Sequence, residues 1–227
     1  MNKYFILFFC LILLISISFF IFYNDSSVDN SIKNDVNIES ELQYKLYFND
    51  SFGYHNTSER TDEIEYIVIH YTGAEMDAKD FVSYYNKPTS VYASADYFVG
   101  FNGDVYKYNL EIENRYSWAV GGTLITDRLT YGGSYYGVVT NNNSISIEMC
   151  AYSGGAVEAN EPGWIISNDT ITSTVNLTKD LMNIYNIPIA NVVRHYDVTG
   201  KWCPGVVGWN ENTSNIDMWI DFKNRLE

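Results

Sequence analysis

The sequence predicts an α/β domain set behind an N-terminal transmembrane helix, and three observations predict it. Residues 64–69 form an apolar run that ends in His70, the pattern of a buried strand. Residues 143–150 alternate strictly and a helical pattern at 168–185 follows them, so strand and helix succeed one another as in α/β domains. Residues 4–23 are twenty consecutive uncharged residues rich in Ile, Leu and Phe, long enough as a helix to cross a bilayer.

Lys3 precedes the apolar run and Asp25 and Asp29 follow it, so the positive-inside bias puts the rest of the chain on the extracytoplasmic side. A cleaved signal peptide, which would leave the domain secreted, is the competing reading. The run is longer than the usual ~7–15 residues and lacks an Ala-x-Ala-like end, which favours an uncleaved signal anchor over residues 1–23. Cys10, among bulky neighbours, reads as a thiol buried in the membrane. Residues 24–41 are rich in Asn, Ser and Asp without sustained periodicity and read as a flexible polar tether. Residues 42–227 then suffice for one domain with a sizeable core.

Composition narrows the function. The net charge of −14 argues against a nucleic-acid partner, which needs a basic footprint. An aromatic content of 16% argues for a packed domain and against disorder.

Within the domain, residues 64–70 are a strand. A short helix at 76–85 starts at Asp77 and stops at Pro88. Residues 94–100 and 104–108 flank Asn102-Gly103, the mark of a tight hairpin. Residues 115–122 read as a short edge strand and a Gly-rich loop. In the strand at 143–150, Ile145, Ile147 and Met149 point one way, and Ser144, Ser146, Glu148 and Cys150 the other. The helix at 168–185 lines up Ile171, Val175, Met182 and Tyr185, with Leu181 beside them. Pro188 separates it from a short strand at 190–193 that delivers His195. A last amphipathic helix at 215–226 turns Ile216, Trp219, Ile220 and Phe222 inward.

The chemistry concentrates at 191–205, where His195, Lys201 and Cys203 lie close in sequence. Imidazole and thiolate suit zinc, and His70 at a strand's C-terminal end supplies a third ligand. Three protein ligands leave a coordination position open for chemistry. Other readings stand beside this one. A histidine ending a strand is often structural, Cys203 and Cys150 can form a disulfide in an extracytoplasmic domain, and Glu148 can sit on a solvated sheet face. His55 falls in a polar turn and reads as a surface residue.

Four stretches carry a family resemblance: Val68-Ile69-His70-Tyr71-Thr72-Gly73, Ser94-Ala95-Asp96-Tyr97-Phe98-Val99, the strand from Asn143 through Glu148 to Cys150, and Arg194-His195 through Lys201-Trp202-Cys203-Pro204. In order and spacing, across 60–226, they resemble the zinc N-acetylmuramoyl-L-alanine amidases, the family shared by phage endolysins and peptidoglycan recognition proteins. The resemblance implies a mixed central β-sheet flanked by helices on both faces, with a groove over the metal. It implies Zn2+ held by His70, His195 and Cys203, Glu148 as general base or orienter, and Lys201 facing the oxyanion. It implies peptidoglycan as the partner, cut between N-acetylmuramic acid and the L-alanine of the stem peptide; the anchor's orientation and the Asn, Ile, Lys and Tyr bias of the composition suggest that this happens on the wall-facing side of the membrane. Amide hydrolysis asks for these parts on chemical grounds as well. Tyr71, Asp96, Tyr97, Trp118 and Trp202 are candidates for the groove wall, and core packing is the alternative for each aromatic. The chain departs from the family at Asp96 and Ala119, where many relatives have histidine, and at Ala95, where some have tyrosine. These departures keep a second function in view, a membrane-tethered receptor that binds peptidoglycan without cutting it.

Overall fold

A six-stranded sheet organises the domain, in a computed structural model that describes residues 42–50, 56–88, 92–128, 132–205, 207–210 and 216–227. Its strands are β1 (Leu46–Phe48), β3 (Tyr66–Tyr71), β4 (Tyr97–Val99), β5 (Val105–Lys107), β7 (Ser144–Met149) and β8 (Val192–Arg194), in the order β1-β5-β4-β7-β3-β8. Four of them, β4, β7, β3 and β8, run parallel, and β5 reverses direction against β4. The sheet is therefore mixed, as expected. Strands β2 (Thr57–Glu59) and β6 (Arg115–Ser117) form a separate antiparallel pair. Neither β1 nor β2 was legible in the sequence, since a three-residue strand shows too little alternation.

The β4–β5 hairpin turns where Asn102-Gly103 predicts. Gly100 N–H donates to Asp104 O at 2.8 Å, and Gly103 has φ of +82°, a conformation that glycine adopts without strain. The two predicted strands around it shorten to three residues each, and the strand expected at 190–193 begins at Val192, because Ile189–Asn191 closes as a 3-10 turn.

Helices cover both faces. Helix α1 (Ala78–Tyr85), N-capped by Asp77, packs Phe81 and Val82 with Phe98, Tyr108 and Cys150 on one face. Helices α2 (Asn168–Tyr185) and α4 (Asp217–Asn224) cover the other, where Ile67, Ile69, Ile145, Ile147 and Met149 meet Ile171, Val175, Leu181, Trp219 and Phe222. The alternation read along 143–150 is thus the division between the two layers. Helix α2 keeps its predicted bounds, but its inward face differs. Met182 and Tyr185 are only partly buried, and Thr170, Thr174 and Thr178 are buried in their stead. Each threonine is satisfied: Thr170 Oγ1 donates to Gly100 O, and Thr174 and Thr178 donate to the carbonyls four residues earlier. In α4, Trp219 and Phe222 point inward as expected, whereas Ile220 is 46% exposed.

The compact unit spans Gln43–Glu227. The predicted transmembrane helix, the tether and His55 lie outside the described residues; among the described residues, no helix is long and apolar enough to cross a membrane.

Candidate active site

The site grows out of strand register. His70 lies in β3 directly opposite Glu148 in β7, and Glu148 in turn faces Phe98 in β4, so the imidazole and the carboxylate project from the same face near the C-terminal ends of parallel strands. Strand β8 runs beside β3 and gives way at once to helix α3 (His195–Thr199), a short helix the sequence reading did not foresee. Arg194 fixes that junction. Its backbone N–H and its guanidinium both donate to the Asp197 carboxylate, at 2.8 and 2.6 Å, and Nη1 donates to Trp209 O at 2.5 Å. The guanidinium also lies 5.2 Å from the ring centroids of Tyr196 and Trp219. Beyond α3 the chain folds back, and Tyr196 N–H donates to Cys203 O at 3.0 Å, returning the thiol to the sheet edge.

His70, His195 and Cys203 come together. All three are buried, and one ligand atom from each lies within 4.8 Å of the others. Cys203 Sγ is 3.6 Å from His70 Nδ1 and accepts the Tyr71 backbone N–H at 3.4 Å. Zinc–sulfur and zinc–nitrogen bonds of ~2.3 and ~2.0–2.1 Å at a tetrahedral angle put two ligand atoms about 3.6 Å apart. His195 Nε2 donates to Gly121 O at 3.1 Å, which fixes the tautomer and leaves Nδ1 with a free lone pair. His195 Nδ1 and His70 Nε2 are buried without a hydrogen-bond partner. A buried polar atom without a partner costs free energy, and a cation held by His195 Nδ1, His70 Nδ1 and Cys203 Sγ would compensate the first of these two. The donor set fits a zinc ion.

Burial shapes the electrostatics. It holds His70 well below the usual histidine range, helped by His195 and Lys201, so the ring is neutral at pH 7 and able to ligate. It pushes His195 down to about 4, with Lys201 adding to the effect and the Gly121 carbonyl opposing it. The Cys203 thiol is driven up, first by burial and then by Glu148. Burial raises Glu148 to about 7, with the Lys201 charge pulling it back. That places a carboxylate where proton transfer at neutral pH is easiest. Its Oε1 stands 3.9 Å from His70 Nδ1, and its Oε2 is buried without a partner. Lys201 is exposed at the site's mouth, on the turn between α3 and Cys203. Cys203 and Cys150 are both free thiols, so no disulfide takes the thiol ligand.

The groove-wall candidates divide. Trp202 follows Lys201 and is half-buried; Trp118 is half-buried, donates Nε1 to Ser58 Oγ at 2.9 Å and packs near Tyr92. Tyr71 packs its ring against Trp164 and donates its hydroxyl to Ala159 O, while its backbone N–H donates to Cys203 Sγ. Tyr97 likewise belongs to the core beneath α2, because its neighbours in β4 alternate faces and Phe98 takes the site side. Asp96 lines no groove either. It is 1% exposed, and its carboxylate accepts from Ser146 N–H, Ser146 Oγ and Asn109 Nδ2 at 2.8–3.0 Å. An unshielded aspartate beside a strand looks functional in a sequence; its satisfying partners lie far along the chain. Gly121 and Asn141 were missed. Gly121 supplies the carbonyl that orients His195, and Asn141 Oδ1 accepts from Ala119 and Val120 N–H at 3.0 and 2.6 Å, holding that segment. The Gly121-Gly122 pair was the available signal, and it read as a loop.

Known proteins carry the same frame. BlyA of Bacillus subtilis (strain 168), an N-acetylmuramoyl-L-alanine amidase, is 31% identical over 166 residues, covering 70% of this chain and 40% of its own length. CwlL of Bacillus licheniformis, of the same description, is 34% identical over 76 residues, 34% of this chain and 18% of that protein. The chain thus spans well under half of the length of these relatives. Among solved structures, a mutant endolysin from Bacillus subtilis superposes with a TM-score of 0.57 at 22% identity, over 82% of this chain and 100% of that one. PlyL gives 0.56 at 21%, over 82% and 98%. At such identities the likeness speaks for the fold. Residues 60–206, which contain His70, Glu148, His195, Lys201 and Cys203, match the family described as N-acetylmuramoyl-L-alanine amidase, and on that match the chain belongs to this family.

Proposed function

We propose that this chain is a zinc-dependent N-acetylmuramoyl-L-alanine amidase that cuts the bond between the lactyl group of N-acetylmuramic acid and the L-alanine of peptidoglycan stem peptides. The observation that carries the reading is the buried His70, His195 and Cys203 cluster beside the partly buried Glu148 carboxylate, whose pKa is raised to about 7.

His70, His195 and Cys203 would hold the ion. Zinc at this position supplies Lewis acidity, polarising a carbonyl and acidifying water. The protein's own groups do the rest. Gly121 O holds His195 in the Nε2-protonated tautomer, and the Tyr71 N–H steadies the Cys203 sulfur. Glu148 receives the attacking water's proton on its unpartnered Oε2 and returns it to the departing amine of L-alanine. Lys201 faces the oxygen on which negative charge develops. Supporting the assignment, the Lys201 charge already reaches Glu148 and His195.

The uncharged run at 4–23 anchors this activity to the membrane, with the domain on the wall-facing side. Zinc analysis of the purified chain together with turnover of peptidoglycan tests the reading. One zinc per chain is expected, with both zinc and hydrolysis lost in Cys203→Ala and hydrolysis alone lost in Glu148→Ala. A fully active Cys203→Ala protein without zinc would reject it.

A further inference from the structure

The segment that follows β7 closes on itself. Tyr152 and Ile165 exchange backbone hydrogen bonds of 2.8 and 2.9 Å, and between them the Glu161 carboxylate accepts the N–H groups of Val157 and Glu158 at 2.7 and 3.1 Å. Little apolar surface holds this loop down, since Val157 is 82% and Ile165 57% exposed. Segments with few buried contacts open at low free energy, so the order of residues 152–165 depends on how they are pinned to the rest of the domain.

Side chains from the end of β3 and the turn after it pin the loop. Tyr71 donates its hydroxyl to Ala159 O and sets its ring against Trp164, whose Nε1 donates to Glu158 O at 3.0 Å. Glu75 Oε2 accepts the Ser153 N–H at 2.8 Å. Gly73 permits the close approach, because a Cβ there would stand 2.8 Å from the Ala159 Cβ. Tyr71 differs from Glu75 in what its other end does. The last pairing of β3 with β8 is Ile69 with Arg194, and β3 runs on to Tyr71, so the Tyr71 N–H lies beyond the end of β8 and donates to Cys203 Sγ at 3.4 Å instead of to a strand carbonyl. One residue thus joins a candidate metal-ligand sulfur to the loop. A metal ion on Cys203 fixes the sulfur in place, and with it the backbone from which the Tyr71 ring reaches Ala159 and Trp164.

We propose that Tyr71 is a positioning residue that couples the order of loop 152–165 to occupancy of the metal site, so that the loop is held closed only in the metal-loaded domain. The proposal rests on the zinc reading for the identity of the ion and on the two ends of Tyr71 for the coupling. Linkage makes the coupling reciprocal: the factor by which zinc steadies the loop is the factor by which the pinned loop tightens zinc. Its test is amide hydrogen exchange over residues 152–165 of the full chain, metal-free and zinc-loaded, together with zinc affinity measured by competition with a chromophoric chelator. Zinc is expected to slow exchange of the loop in the wild-type chain by about 5-fold or more. Tyr71→Phe keeps the ring and the backbone N–H and removes only the hydroxyl; it is expected to lose most of that slowing and to bind zinc about 5-fold more weakly. Glu75→Ala cuts the pin that does not pass through a metal ligand, so it is expected to speed exchange in both metal states and to keep both the zinc-dependent slowing and the zinc affinity. Exchange indifferent to zinc in a zinc-binding wild-type chain, or unchanged zinc affinity in Tyr71→Phe, would overturn the coupling and leave the zinc reading standing. A wild-type chain that binds no zinc would reject both. Coupling as expected in a chain that cuts no peptidoglycan would refute the amidase reading and leave the role of Tyr71 in place.

Discussion

Glu148 is held where a carboxylate is least comfortable as an anion, and the consequence is measurable in stability. Its folded value of about 7 lies above the ordinary 4.5. Between those values the unfolded chain has released its proton while the folded one still holds it, so stability of the metal-free domain falls as pH rises through that window. The side chain retains 19% exposure, which moderates the effect. Glu148→Gln is therefore expected to raise metal-free stability by about 2 kcal/mol at pH 8 and by little at pH 4.5, measured by urea unfolding, while hydrolysis falls by about 10²–10⁴-fold. The ligands make a second prediction. At pH 7 both histidines are neutral and the Cys203 thiol is protonated. Zinc loading should release about one proton from Cys203 and a further fraction from Glu148, read by calorimetry in buffers of different ionisation enthalpy. At this scale the sequence was most informative where chemistry is local: the imidazole, ammonium and thiol around 195–203 name their own use. It misled at Asp96 and Tyr97, because whether a side chain faces a groove or a core is settled by neighbours such as Ser146 and Asn109, which no local pattern reveals.

The elements that carry these residues have their own tests. Strand β8, helix α3 and helix α4 meet on Arg194, whose guanidinium binds Asp197 and Trp209 O between two aromatic rings. Removing one partner of such a buried pair leaves a charge uncompensated, so Asp197→Ala should cost about 3–5 kcal/mol and loosen zinc through the displacement of His195. Thermal unfolding with and without zinc reads both effects. Helix α2 depends on its first turn. Ser167 Oγ accepts the Thr170 N–H at 3.0 Å and reaches Phe101 O in the β4–β5 turn, so Ser167→Ala should cost about 1–2 kcal/mol. The bounds of α2 were legible because a long periodic pattern ends in recognisable caps. Its threonine face was not, since Thr170, Thr174 and Thr178 look solvent-exposed until the hydroxyls find their carbonyls. Helix α3 was invisible for a simpler reason, since five residues make little more than one turn.

Over the whole molecule, the metal and the fold are linked. Ligands drawn from β3, from the β8–α3 junction and from the loop that follows can meet only in the folded chain, so bound zinc would add to stability with the logarithm of its free concentration, about 4 kcal/mol at a thousand times its dissociation constant. Chelation should lower the unfolding midpoint of the wild-type chain and leave that of Cys203→Ala unmoved. The layered architecture was legible as a whole, because alternation at 143–150 and amphipathic periodicity at 168–185 together demand a sheet with a covered face. Strand order was beyond reach, since pairing is decided by contacts between distant segments. The central claim is that this assembly cuts the bond between muramic acid and L-alanine. The measurement that tests it most directly is incubation of the purified chain with peptidoglycan, with and without chelator, counting new L-alanine amino termini and new reducing sugar ends. Chelator-sensitive release of L-alanine termini, restored by zinc, absent in Glu148→Ala and unaccompanied by reducing ends, is the predicted result. Retention of muropeptide on a zinc-loaded chain that releases no termini would contradict it, and would make the frame a receptor.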